Sequence, residues 1–282
     1  MGRSRRMGQL SLIGPMGLMG KKLGWPILFF LLPLTLRGQE AGHFWQGFNF
    51  ADTTDTNRER ASQGIADFIL LLDKTDSTLM DKAVASFLQH ATSTPWGKKH
   101  YPEMIHEQLG SGQSYLCHDK VYACFLRHLI AQSRNEAEIS RLSFRLEQVS
   151  RNQTGSQASD FSFELPDGHK DSLYHIRSPW TLLYFSDPTC SNCHRLLPQA
   201  LESPVMYADS IQVIMVYPDD DRVTWENTTH AMPDKWMETW APHVRERYYL
   251  PSLPSLYLLD RQKRVVLKNT TLDQIARFLK EH

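Results

Sequence analysis

The sequence predicts an α/β fold, a mixed central sheet with flanking helices, preceded by a small all-helical domain. Three observations carry this. Apolar residues recur at helical spacing from Thr56 to about Val149, and alternate at strand spacing from Phe161 onward. A polar, small-residue stretch at 150–159 separates the two regimes and reads as a linker. Two cysteines three apart, Cys190 and Cys193, follow directly on the apolar run 180–186 and open a segment that reads as a helix from Asn192 to Leu201.

The elements follow in chain order. Residues 1–42 read as leader and signal peptide. Lys21 and Lys22 form a basic start, Leu23 to Leu36 an apolar run of 14 residues, and Gly38 or Ala41 a small residue before a cut. The run is short for a bilayer span and holds Pro26 and Pro33. An uncleaved N-terminal anchor is the alternative, and the only route to membrane association. Six basic residues and no acid lie in 1–37, so the remainder carries 25 basic against 31 acidic residues. That excess of negative charge argues against nucleic-acid binding.

Residues 43–150 form the expected helical domain. Ile65, Phe68, Ile69 and Leu72 share one face, as do Leu79, Ala83, Phe87 and Leu88, and Tyr122, Phe125, Leu126, Leu129 and Ile130. The segments 94–97 and 109–112 read as breaks between helices. Cys117 and Cys124 fall in a predicted helix. Seven residues at ~1.5 Å rise separate them by ~10 Å, too far for a disulfide, so they read as small apolar residues.

Residues 151–159 are the expected linker and 160–282 the sheet domain. Phe161, Phe163 and Leu165 alternate with polar residues, Asp167-Gly168 signals a turn, and Leu173 to Ile176 is the expected return strand. The apolar run 180–186 is a strand, the cysteine segment a helix, and Ile211 to Tyr217 another strand. The stretch 218–250 reads as partly helical, with Trp225, Trp236 and Trp240 as core. A strand pair, Ser255 to Leu259 and Arg264 to Lys268, flanks the turn 260–263. The last helix is Leu272 to Lys280, capped by Thr271 or Thr270.

A cysteine where a strand hands over to a helix meets unpaired backbone N–H groups that favour its thiolate. A second cysteine one turn on can reach back to close a disulfide, the requirement of dithiol–disulfide exchange. Three landmarks then carry a resemblance: Cys190-Ser-Asn-Cys193 at the junction, Pro198 five residues later, and Leu253-Pro254 before the strand 255–259. Residues from about 158 to 282 resemble the thioredoxin-like superfamily in its TlpA-like envelope branch. The whole chain resembles two-domain envelope proteins of Bacteroidetes.

The resemblance implies a periplasmic thiol–disulfide oxidoreductase acting on protein thiols and disulfides, with an envelope redox donor or acceptor as partner. Cys190 is the implied attacking thiol and Cys193 the resolving thiol, the two alternating between dithiol and disulfide. Leu253 and Pro254 are the implied substrate-binding pair, with a cis bond between them. The chain also departs from the family. Tyr184 stands where the family has a buried acid, and Leu196 where a glutamate is frequent, leaving Asp187 and His194 as the nearest titratable groups. No cofactor or metal is expected. A zinc site would recruit Cys117, His118, His128 or His194 across a domain boundary. A copper chaperone, or a binding module on a non-catalytic scaffold, are the alternatives.

Overall fold

A computed structural model describes residues 40–111, 118–228 and 232–282. The apolar run 23–36 and Cys117 lie outside them. Among the described residues no helix is long and apolar enough to cross a membrane.

After a helical turn at 40–43, the described residues form five helices: α1 (Asp55–Asp73), α2 (Ser77–Ala91), α3 (Pro95–Leu109), α4 (Asp119–Gln132) and α5 (Glu136–Ser150). Short polar side chains start most of them. Thr54, Asp76, Thr94 and Asn135 each accept a backbone N–H of the first turn. The break expected at 94–97 is corrected: Pro95, Trp96 and Gly97 are the first turn of α3, and only Thr94 is outside it. A proline at the first helical position loses no intrahelical bond. The helices enclose a core of Ile65, Phe68, Leu72, Phe87, Tyr101 and Phe125 among others. Trp45 and Phe50, from the aperiodic segment before α1, pack onto it.

The second part holds β1 (Ser162–Glu164), β2 (Lys170–Ser172), β3 (Trp180–Phe185), α6 (Ser191–Leu201), β4 (Ile211–Tyr217), α7 (Arg222–Thr228), β5 (Met237–Trp240), β6 (Ser255–Leu259), β7 (Val265–Lys268) and α8 (Leu272–Glu281). One seven-stranded sheet runs β2-β1-β5-β4-β3-β6-β7. β4 is parallel to β3 and to β5, while β6 is antiparallel to β3 and β7. Alternation along β3 divides the core. Leu183 and Phe185 face Phe161, Tyr248 and Tyr257; Leu182 and Tyr184 face Ala200, Met206 and Ile275 on the opposite side. α8 starts on a capping box in which Thr271 and Gln274 exchange bonds.

One sequence expectation is corrected and one is extended. The return strand is Lys170–Ser172, whereas Leu173–His175 is a 3₁₀ turn with Leu173 buried. The turn at Gly168, φ 84°, is tight enough that pairing resumes at once. The stretch 218–250 contributes the strand β5 as well as helix α7, and β5 joins the hairpin to β4 through the pair Glu164 and Trp240. Trp225 and Trp236 are buried, in line with a core role.

The segment between the two parts is pinned. Asn152 is buried, its amide donating to the Arg247 carbonyl (2.8 Å) and accepting from the Ser159 N–H (2.7 Å). Gly155 and Ala158 donate to the carbonyls of Val265 and Lys263, and Val265 donates back to Ser156. The helices also dock directly. Lys268 on β7, its side chain 4% exposed, meets Asp119 at the start of α4 at 2.6 Å. Its ammonium also donates to the carbonyls of Val149 (2.9 Å) and Arg151 (2.6 Å). Tyr249 packs against the helical core and its hydroxyl donates to the Gly110 carbonyl.

Candidate dithiol site

β3 ends at Phe185, and the loop 186–189 delivers the chain to α6. The Asp187 carboxylate accepts from both the backbone N–H (2.7 Å) and the hydroxyl (2.8 Å) of Thr189, which sets the turn. Cys190 is the helix N-cap. Its Sγ accepts the Cys193 backbone N–H at 3.3 Å. The thiol proton points to the Leu253 carbonyl, 3.5 Å away. The Leu253–Pro254 bond is cis, and it is the Leu253 carbonyl that meets the Cys190 sulfur, two residues read separately from the sequence.

The two thiols differ. Cys190 is partly exposed, while Cys193 is 2% exposed. Burial pushes the Cys193 thiol up to about 12, against the Asp187 backbone N–H and the Ser186 hydroxyl, which favour its thiolate. Ser186 was not singled out from the sequence. It sits at the last position of an apolar run, where a serine reads as the strand's end, and nothing local shows that its hydroxyl turns toward the sulfur.

Tyr184 lies on the same face of the sheet as the dithiol helix. It is fully buried, its hydroxyl has no hydrogen-bond partner among the described residues, and burial raises its pKa, with Cys193 and Cys190 close enough to add to the effect. A neutral phenol thus occupies the position where the resemblance expects an acid. His194 is exposed, and its ring N–H donates to the Pro188 carbonyl. Asp187 is engaged with Thr189. Neither side chain is bonded to a cysteine sulfur.

Of the remaining cysteines, Cys124 is buried in α4, its thiol raised to about 11 chiefly by burial and then by Asp81. That makes it a poor nucleophile at neutral pH. His128 is bound to Asp81 and His118 to Asp73. Both histidines lie in the helical part, so they do not gather with the dithiol as a zinc site would need.

This sheet order, with a dithiol at the head of the helix after β3 and the Leu253 carbonyl against its first sulfur, is a thioredoxin-like fold. The chain superposes on the crystal structure of a thioredoxin-like protein from Bacteroides caccae with a TM-score of 0.80, at 23% identity, covering 94% of this chain and 100% of that one. It is 28% identical over 115 residues to the thioredoxin-like protein YneN of Bacillus subtilis, covering 39% of this chain and 67% of that protein. The thioredoxin domain of a thiol-disulfide oxidoreductase from Bacteroides vulgatus aligns at 21% identity and a TM-score of 0.41, over 46% of this chain and 96% of that domain. Residues 40–152 match the model of a family described as a domain of unknown function, DUF5106.

Proposed function

We propose that this protein is a thiol–disulfide oxidoreductase of the periplasm that uses Cys190 and Cys193, with reduction slightly favoured over oxidation as its direction. The observation that carries the reading is the inequality of the two thiols. Cys190 is reachable, receives a backbone N–H on its sulfur, and sits against the Leu253 carbonyl; Cys193 is sealed beneath it. The Cys190 thiolate attacks one sulfur of a substrate disulfide, that S–S bond breaks, and the departing substrate thiolate takes a proton. Cys193 then gives up its proton and attacks the Cys190 sulfur. The mixed disulfide breaks, the second substrate thiol leaves, and the protein keeps the two-electron oxidation as its own disulfide. Ser186 and the Asp187 N–H support the Cys193 thiolate as it forms. An envelope dithiol donor resets the pair. The backbone flanking Pro254 supplies an extended-chain dock for a peptide beside the sulfurs.

The test is trapping. Cys190→Ser abolishes reduction of a model disulfide. Cys193→Ser accumulates a mixed disulfide through Cys190, because the attacking sulfur remains and the resolving one is gone. A non-catalytic scaffold gives neither turnover nor adduct. Export is tested by N-terminal sequencing of native protein: a start between residues 38 and 43 supports the periplasm, and an intact N-terminus retained in the membrane supports an anchor.

A further inference from the structure

The helical part holds a second cluster of metal-ligating groups, distinct from the dithiol. Cys124 and His128 are four apart on α4, which puts both on one face, one turn above the other. Asp81, from α2, reaches into the same spot. Its Oδ1 is 2.9 Å from His128 Nε2 and 3.8 Å from Cys124 Sγ. The three donor atoms all lie within 4.8 Å of one another.

We propose that Asp81, Cys124 and His128 form a three-ligand site for a zinc-class divalent cation. Bonds of about 2.0–2.3 Å in tetrahedral geometry space the donors about 3.3–3.6 Å apart. Two of the three separations, 2.9 and 3.8 Å, bracket that spacing, and the third is no more than 4.8 Å. Burial is graded to suit. Cys124 is at the floor with no exposure, the His128 side chain is 23% exposed, and the Asp81 side chain is 57% exposed at the rim. The ion therefore has a path in, and the rim carboxylate has room to adjust. A thiolate and a carboxylate together offset a double positive charge, so the occupied site is neutral. On binding, the Cys124 thiol gives its proton to solvent and the sulfur bonds the metal. Arg127, which also approaches the thiol, is exposed and has room to turn outward.

The donor set selects the ion. Thiolate with imidazole favours zinc over magnesium or calcium, which take oxygen shells. Three protein donors leave a fourth position to water at the exposed rim, the coordination of an open site rather than a closed structural one.

The experiment uses the mature chain with Cys190 and Cys193 closed as a disulfide, which removes them as competing ligands. Zinc binding is measured by equilibrium dialysis against excess magnesium, and cobalt is used as a spectroscopic substitute. The expected result is one zinc per chain, and a thiolate-to-cobalt charge-transfer band that Cys124→Ala removes. Asp81→Asn and His128→Ala, at positions that face solvent at least in part, keep the helical circular dichroism and weaken zinc by at least about tenfold each. Zinc binding in Asp81→Asn and His128→Ala equal to the wild type, or no charge-transfer band with cobalt, overturns the proposal.

Discussion

Replacing Lys268 by Met tests how the two parts of the molecule are joined. The ammonium is almost fully buried, makes three polar contacts, to the Asp119 carboxylate at 2.6 Å and the carbonyls of Val149 and Arg151, and lies 5.7 Å from the centre of the Tyr249 ring. Burial lowers the Lys268 pKa and raises that of Asp119, with the partner's charge acting against each shift but not cancelling it. Both directions say that desolvation outweighs the pairing. Removing one partner leaves the Asp119 carboxylate buried and uncompensated, at about 3–5 kcal/mol. That is two to four decades in the unfolding equilibrium at about 1.4 kcal/mol per decade. The position of Asp119 at the first residue of α4 offsets about 0.3–1 kcal/mol of it. The double change Lys268→Met with Asp119→Asn removes both charges and restores stability to within about 1–2 kcal/mol of wild type. The assay is urea unfolding followed by far-ultraviolet circular dichroism and by tryptophan fluorescence. A carboxyl whose folded pKa lies above its ordinary 3.8 is penalised while ionised, and the penalty is relieved as pH falls through the folded value. The deficit of Lys268→Met is therefore largest near neutrality and shrinks on acidification. A single-variant cost below about 1 kcal/mol, or a deficit that grows as pH falls, refutes the reasoning.

Alkylation of the reduced protein at pH 7, mapped by mass spectrometry, labels Cys190 ahead of Cys193 and Cys124. Burial holds the Cys193 thiol well above its ordinary value, so it stays protonated at that pH and its labelling climbs as pH rises; equal labelling of the CxxC pair counts against the assigned roles. Tyr184→Phe removes a buried hydroxyl that lacks a partner, and thermal or urea unfolding shows a gain of about 1 kcal/mol or no change. A loss above that would mean the hydroxyl is hydrogen-bonded in solution. Gly97→Ala costs about 1–3 kcal/mol in the same assay although alanine is the better helix former, because the added carbon lies 2.0 Å from the Ala91 carbonyl oxygen. A stabilised Gly97→Ala would show that the turn before α3 yields freely.

Much of this architecture is local and was readable in advance. The helical stripes, the strand 180–185, the dithiol at its end and the cap at Thr271 each depend on neighbours within a few residues. What was not readable depends on distant partners. β5 is four residues long and gains its strand character from lying between β1 and β4. Ser186 acts on a sulfur seven positions further along only because α6 folds back over the end of β3. Lys268 reads as an exposed charge at the end of a strand, and only the docked helices make it buried. The polar stretch 151–159 has a linker's composition, yet its hydrogen-bond partners include residues 174, 245, 247, 248 and 262–265.

That stretch also decides what the sheet can be joined to. β7 is the last strand on its side, and a bare last strand offers a row of backbone donors and acceptors to any passing chain. Here the first residue of that row, Val265, and the turn residues 263 and 264 before it are already taken by residues 155–158 of the same molecule, with Gln157 bridged to Arg264. The connector thus closes the start of that edge to another chain. A truncation beginning at residue 160 would strip it away, whereas one beginning at 151 would carry its own cover.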